Sequence, residues 1–187
     1  PTVCKHGYIV NVINSEDTAT DDYYLKFVGE NNIDGEGHWE ECPKPGQKTE
    51  IDHTTMPYTL NRVVNNGVVN FTLKPYSTAD YDSSDPNNII GSVLWAKKEV
   101  GDEFTNRNPS FVSEFGVKDN RISKVLFHRN RLVMLSGNNI CLSQPDDLGN
   151  FWNKTALTFS GQDRIDLSVT KTTPAALTEG IEMNTGL

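Results

Sequence analysis

The residues with chemistry to offer stand in small, separate groups. Asp80, Asp82 and Asp85 recur through a polar loop, and clustered carboxylate oxygens are what a hard cation such as Ca²⁺ binds. Counted from Asp80 as first ligand, an EF-hand loop needs Gly at its sixth position and Glu at its twelfth. Asp85 and Gly91 stand there instead, so a solvated linker is expected. Cys4, His6, His38 and Cys42 could supply four zinc ligands. The residues around His38 alternate as in a strand, where an i, i+4 pair shares a face but stands ~13 Å apart along it. No zinc site is therefore expected. Cys141 completes an odd, widely spaced trio without a CxxC pair, which reads as buried reduced thiols.

Catalytic patterns fare no better. Glu40/Glu41, Asp102/Glu103 and Asp146/Asp147 are paired carboxylates, but glycoside hydrolysis needs two carboxyls placed across a sugar, which adjacency does not provide. With 25 acidic residues such pairs arise by chance. Ser136-Gly137 and Ser160-Gly161 lack the flanking Gly of a nucleophile elbow, and Gly35-Glu36-Gly37 is too short for a phosphate loop. Asn70-Phe71-Thr72 and Asn153-Lys154-Thr155 match glycosylation acceptors, with no secretory signal visible. Lys124, His128, Arg129 and Arg131 form a basic cluster, expected to anchor carboxylates within or between subunits rather than to take up an anion. Trp39, Trp95 and Trp152 are expected in the core rather than as sugar platforms. No catalytic residue, cofactor or metal is expected.

The elements that would position these groups read as mainly β. Val69, Phe71 and Leu73 alternate with Val68, Asn70 and Thr72, the period of a half-buried strand, and Asn66-Gly67 before them is a strong hairpin signal. Tyr8–Ile13, Tyr23–Val28 and His38–Cys42 are further strands, so residues 1–75 are expected to form a small β domain. Residues 76–91 are rich in Asp, Ser and Asn and read as a linker. Ile122–His128, Arg131–Ser136 and Asn139–Ser143 are short strands, with Gly137-Asn138 turning the second into the third. Their spacing suggests that residues 92–187 are an incomplete propeller-like portion, built of blade-like antiparallel sheet. Helix signals are thin: Thr54–Leu60 contains Pro57, and Pro174–Met183 is broken by Gly180. Asn is abundant (19 residues) and is expected to supply turns that need positive φ.

Composition excludes whole classes. The 187 residues carry 17 basic and 25 acidic side chains, a formal charge of −8, with mean hydropathy −0.51. No apolar run reaches the ~18–20 residues of a membrane helix, so no membrane insertion by this segment is expected. An acidic chain without a basic stripe is not an ordinary nucleic-acid binder. The chain opens on Pro1 rather than Met and is read as an excerpt of a longer protein.

Two segments go beyond generic β sequence. In the first, Trp95, Gly101, Asp102, Thr105, Asn106, Pro109, Ser110, Phe111 and Val112 fill a W…GD..TN..PSFV pattern. In the second, Phe127, Arg129, Asn130, Arg131, Leu132, Leu135, Ser136, Gly137, Ser143, Phe151 and Trp152 fill F.RNRL..LSG…S…FW. Together they resemble the tail tubular protein B family, the tail nozzle proteins of short-tailed bacteriophages (podoviruses). DDYYLKFVGENN, GEGHWEECPKPG and TMPYTLNR are similar to the same family, and the likeness runs from about Tyr8 to Asp166. Val133-Met134 stands where Gly-Phe is the family habit, Gln144-Pro145-Asp146 replaces a Ser/Arg-Gly-Asp loop, and SEFGVKDN lengthens a connection.

The resemblance implies a virion structural protein of the phage tail. It implies a six-fold homo-oligomeric ring at the distal end of the tail, below an adaptor protein, with tail fibres nearby. DNA would pass through the lumen without specific binding. It further implies a β-rich architecture with a propeller-like domain. A tail-associated polysaccharide hydrolase and a carbohydrate-binding β module are the rival expectations.

Overall fold

The computed structural model describes residues 1–16, 18, 20–52, 55–75, 95–112, 121–169 and 176–181. Over these residues the chain forms three antiparallel sheets, and no α-helix is present among them. The linker 76–91, its three Asp residues and the connection 113–120 lie outside the described residues, as do positions 174–175 and 182–183 of Pro174–Met183.

The first sheet contains β1 (Val3–Cys4), β2 (Ile9–Val12), β3 (Tyr23–Gly29) and β4 (Gly35–Cys42), in the order β1-β4-β3-β2. The chain reverses between β3 and β4 through a 3-10 turn, Glu30–Asn32, where Asn31 and Asn32 take φ of 55° and 61°. Asn tolerates that left-handed region better than most residues. Strand alternation then separates two faces. One pairs Lys26 with Glu40 and Val28 with His38. The other pairs Phe27 with Trp39, edge-on at 5.3 Å, and buries Phe27 completely. Glu41 lies on that second face and accepts hydrogen bonds from Thr155 Oγ1 and, at 2.8 Å, from the Ala156 N–H. The sheet is thereby tied to the C-terminal half of the chain.

The second sheet is a hairpin of β5 (Tyr58–Asn65) and β6 (Val68–Pro75). At its turn Asn66 and Gly67 have φ of 50° and 81°, the two positive values a type I′ turn requires. Register sets Leu60 opposite Leu73, Arg62 opposite Phe71 and Val64 opposite Val69, so these six share one face. The alternation predicts that this face is half-buried. It is not: Leu60, Val64, Val69, Phe71 and Leu73 are 43–64 % exposed. Two strands alone give the pattern a pleat to occupy but no second layer to cover it.

The third sheet is a meander of β7 (Ile122–His128), β8 (Arg131–Ser136), β9 (Asn139–Leu142) and β10 (Ile165–Ser168), each strand paired with the next. Arg129-Asn130, with φ of 47° and 59°, turns β7 into β8, and Gly137-Asn138 turns β8 into β9. Met134 and Cys141 project from one face into the main core, where they meet Ile51, Met56, Trp95, Phe111, Phe151 and Trp152. Except for the sheet residues, this core is supplied by irregular chain from segments 51–52, 55–56, 95–112 and 151–152. Burying irregular backbone removes water from its N–H and C=O groups, so each needs another partner. That requirement shapes the site described next.

Candidate functional site

Many of the sequence-predicted residues converge on the irregular layer over the third sheet. Gly101 opens it with φ of 73°, and a Cβ there would stand 2.7 Å from Thr105 Oγ1 and 2.9 Å from Asn106 Cβ. Both backbone conformation and space therefore call for glycine. Asp102 follows, almost fully buried. Its Oδ1 accepts from the N–H groups of Phe104 (2.8 Å) and Thr105 (3.0 Å) and from Thr105 Oγ1 (3.1 Å). One carboxylate thus closes a tight turn on its own backbone.

Asn106 joins this turn to a distant loop. It is 0 % exposed, and its Nδ2 donates to the carbonyls of Val100 (3.0 Å) and Asn153 (3.3 Å) while its Oδ1 accepts from the Asn153 N–H (3.0 Å). Asn153 returns the contact, donating Nδ2 to the Thr105 carbonyl at 3.2 Å. An amide side chain carries donor and acceptor together, so a reciprocal pair can satisfy two loops at once. Nearby, Gln144 donates its side-chain amide to the Trp152 carbonyl at 2.8 Å.

Aromatic residues fill the space between. Phe111 meets Phe151 edge-on at 4.9 Å and 85°, and Trp95 lies 6.3 Å from Phe151. Trp152 donates its indole N–H to the Ala96 carbonyl at 2.8 Å, and the buried Lys98 ammonium sits 4.9 Å from its ring centroid. Trp95 and Trp152 are thus core residues. Trp39 is half-buried against Phe27 and donates to the Pro1 carbonyl. Pro109 is fully buried, and Ser110 donates its N–H to Asp166 Oδ2 at 2.9 Å.

The basic cluster disperses. Arg131 is buried and its guanidinium fans across three carbonyls, those of Ser143 and Asp163 at 2.7 Å and of Gly161 at 2.5 Å. It anchors backbone oxygens rather than the carboxylates expected of it. Lys124 pairs with Glu179, while Arg129 and Asn130 are exposed turn residues. Leu132 donates its N–H to Ser143 Oγ, and Ser136 and Gly137 end β8 and begin the next turn.

Sequence reasoning did not single out Asp163, Arg164 or Asp166. Asp163 accepts from the N–H groups of Lys154 (2.9 Å) and Ser160 (2.6 Å) and from Ser160 Oγ (3.0 Å). Burial alone would push its carboxyl up, but these donors outweigh it and hold the group below the ordinary Asp value. Arg164 reaches Asp166 at 3.4 Å and donates to the Arg107 carbonyl at 2.6 Å. Cys141 lies beside them, its thiol pushed well up by burial. Asp163 and Arg164 stand just ahead of β10 and Asp166 within it, positions that carry no chemical motif.

The remaining candidates are scattered. His38 pairs with Glu40 on an exposed face, Cys42 is buried, and His6 Nδ1 accepts from the Gly29 N–H. Cys4 is only half-buried, unlike Cys42 and Cys141. Among the described residues no group of three or more His, Cys, Asp or Glu is placed to hold a metal ion. Asp102 is consumed by its own turn, Glu103 by Lys44 at 2.7 Å, and Glu41 by Thr155 and Ala156. Asn153 is 5 % exposed and committed to Asn106 and Thr105, which leaves its side chain inaccessible to a glycan. What this arrangement does chemically is to hold loops, with its polar side chains spent on backbone groups.

Comparison with known proteins finds relatives among phage tail proteins. The chain is 28 % identical over 169 residues to the tail tubular protein gp12 of Escherichia phage T7, an alignment covering 90 % of this chain and 17 % of that relative. The chain therefore spans about a sixth of that relative's length. The family described as bacteriophage nozzle protein matches residues 1–187. A match along the whole chain places it: this protein belongs to the bacteriophage nozzle protein family.

Proposed function

We propose that this chain is a structural segment of a phage tail nozzle, located in the virion tail, which acts through assembly and carries no catalysis. The observation that carries the reading is the family match over residues 1–187. The commitment of buried charged and amide groups to backbone partners supports it, because those groups are already occupied by the fold. In this reading copies of the protein form a ring at the distal end of the tail, next to an adaptor protein and near the tail fibres, and DNA leaves through the lumen. The four-stranded meander β7–β10 has the strand count and connectivity of one propeller blade, which supports a propeller-like portion in the complete protein.

The charge of −8 has a physical role in a conduit. Each phosphate neutralised by a cation adds affinity that would retard passage, whereas acids facing a lumen repel the DNA backbone. Electron microscopy of the complete reading frame's product, alone and with its adaptor protein, tests the reading. Closed rings that stack on the adaptor are expected. Monomers that ignore it would overturn the assembly, and a lumen lined by Arg and Lys would overturn the account of the charge.

A further inference from the structure

The β5–β6 hairpin presents Tyr58, Leu60, Val64, Val69, Phe71 and Leu73 on one face, all substantially exposed. A second apolar surface, only partly covered, lies elsewhere on the same chain. The face of the third sheet opposite the main core forms a groove of about 450 Å³, floored by the buried Val133 and Leu135 and rimmed by the half-buried Leu126, Ile140 and Leu142 and the exposed Ile181. Residues 176–181 make one wall of it, held by the Leu177 N–H on the Gly137 carbonyl at 2.7 Å. Among the described residues no hairpin residue lines this groove, so these two surfaces do not meet within one chain.

We propose that the hairpin of one copy docks in the groove of a second copy. Charge selects this occupant. Residues 58–75 carry Arg62 and Lys74 and no acid, whereas the rest of the chain holds 15 basic and 25 acidic side chains. Arg62 sits mid-face between Leu60 and Val64, opposite Phe71, and the one carboxylate lining the groove is Glu179. A seated hairpin brings the Arg62 guanidinium to Glu179, which in the single chain pairs with Lys124. Burial of the hairpin's apolar face also supplies the second layer that two strands need for stability. Donor and acceptor surfaces differ, so the contact is heterologous and passes from copy to copy. The proposal rests on the nozzle reading only in requiring several copies side by side.

The test uses two differently tagged preparations of the full-length protein, one bearing Phe71→Cys and the other Ile181→Cys, mixed and oxidised. A disulfide joining the two tags is expected, at about ten times or more the yield of a control mixture in which Ile13→Cys replaces Ile181→Cys. Arg62→Glu and Glu179→Arg each lower that yield, and combining Arg62→Glu on one preparation with Glu179→Arg on the other restores it. Circular dichroism of each variant confirms that the fold is retained. A yield equal to the control, or charge variants that do not rescue each other, overturns the proposal. Rings that assemble undiminished with Phe71→Asp overturn the contact and leave the nozzle reading standing. A mixed-tag disulfide in a protein that forms no rings upholds the contact and sinks the nozzle reading.

Discussion

Over the third sheet many of the buried side chains are polar, whereas in the β5–β6 hairpin many of the exposed ones are apolar. Asp102, Asn106, Asn153, Arg131 and Asp163 are all below 9 % exposure, yet Phe71 and Leu73 exceed 60 %. The two regions differ in what covers them. The third sheet is roofed by irregular chain, and irregular chain brings unpaired N–H and C=O groups into the interior. Side-chain amides, a guanidinium and carboxylates are the partners that replace water there. The hairpin satisfies its inner backbone groups by strand pairing and has no need of such residues, but its one apolar face lacks a layer to pack on. Stability in the first region should therefore depend on individual polar atoms, and in the second hardly on side chains at all.

The largest effect is expected from Asn106→Ala. It leaves two buried carbonyls and the Asn153 N–H without partners, each at about 1–3 kcal/mol, so a loss on the order of 3–5 kcal/mol should appear in urea unfolding. A loss below 1 kcal/mol would show that water reaches this layer and that the contrast between the regions is false. Gly101→Ala comes next. A methyl group in the left-handed region, close to Thr105 and Asn106, should cost about 2 kcal/mol, read as a lower unfolding midpoint.

Asp163 sharpens the comparison through pH. Its folded-state pKa is depressed, so its contribution is present above the unfolded value of about 4 and is lost as pH falls through the folded value. Asp163→Asn should thus be less stable than the parent at pH 7, and the gap should narrow below about pH 4. A gap independent of pH would mean that the carboxylate charge is not what holds Lys154 and Ser160.

The hairpin and the meander were legible because each rests on local chemistry: period-2 alternation, Asn66-Gly67 at one turn and Gly137-Asn138 at another. Strands Tyr23–Gly29 and Gly35–Cys42 were legible for the same reason. The burial of those elements was not. Alternation states that Phe71 and Leu73 share a face but says nothing of what covers it. Asn was read as a turn residue, which holds for Asn31, Asn32, Asn66 and Asn130. Asn106 and Asn153 have another role, because each satisfies a loop 47 residues away in sequence. Neighbouring residues carry no trace of such a pairing. Asp163 and Arg164 escaped for that reason too, whereas Gly101, Asp102 and Asn106 were found through family resemblance and not through spacing.

The smallest effect should separate the regions most cleanly. Leu135→Ala and Leu73→Ala remove the same atoms from β-strands, but Leu135 is 4 % exposed and Leu73 64 %. Truncation in the packed strand loses transfer energy and opens a cavity, at about 2–5 kcal/mol. Truncation in the hairpin removes a side chain already facing water, so the unfolding midpoint of the dilute chain should move by less than about 0.5 kcal/mol. The measurement becomes more telling with concentration. If the Leu73 face is covered only when copies meet, Leu73→Ala should stay silent in dilute solution and become destabilising as the protein is concentrated, because association stabilises the folded state by mass action. A large cost already present at high dilution would mean that the hairpin face is covered within a single chain, and the contrast between the two regions would fail there.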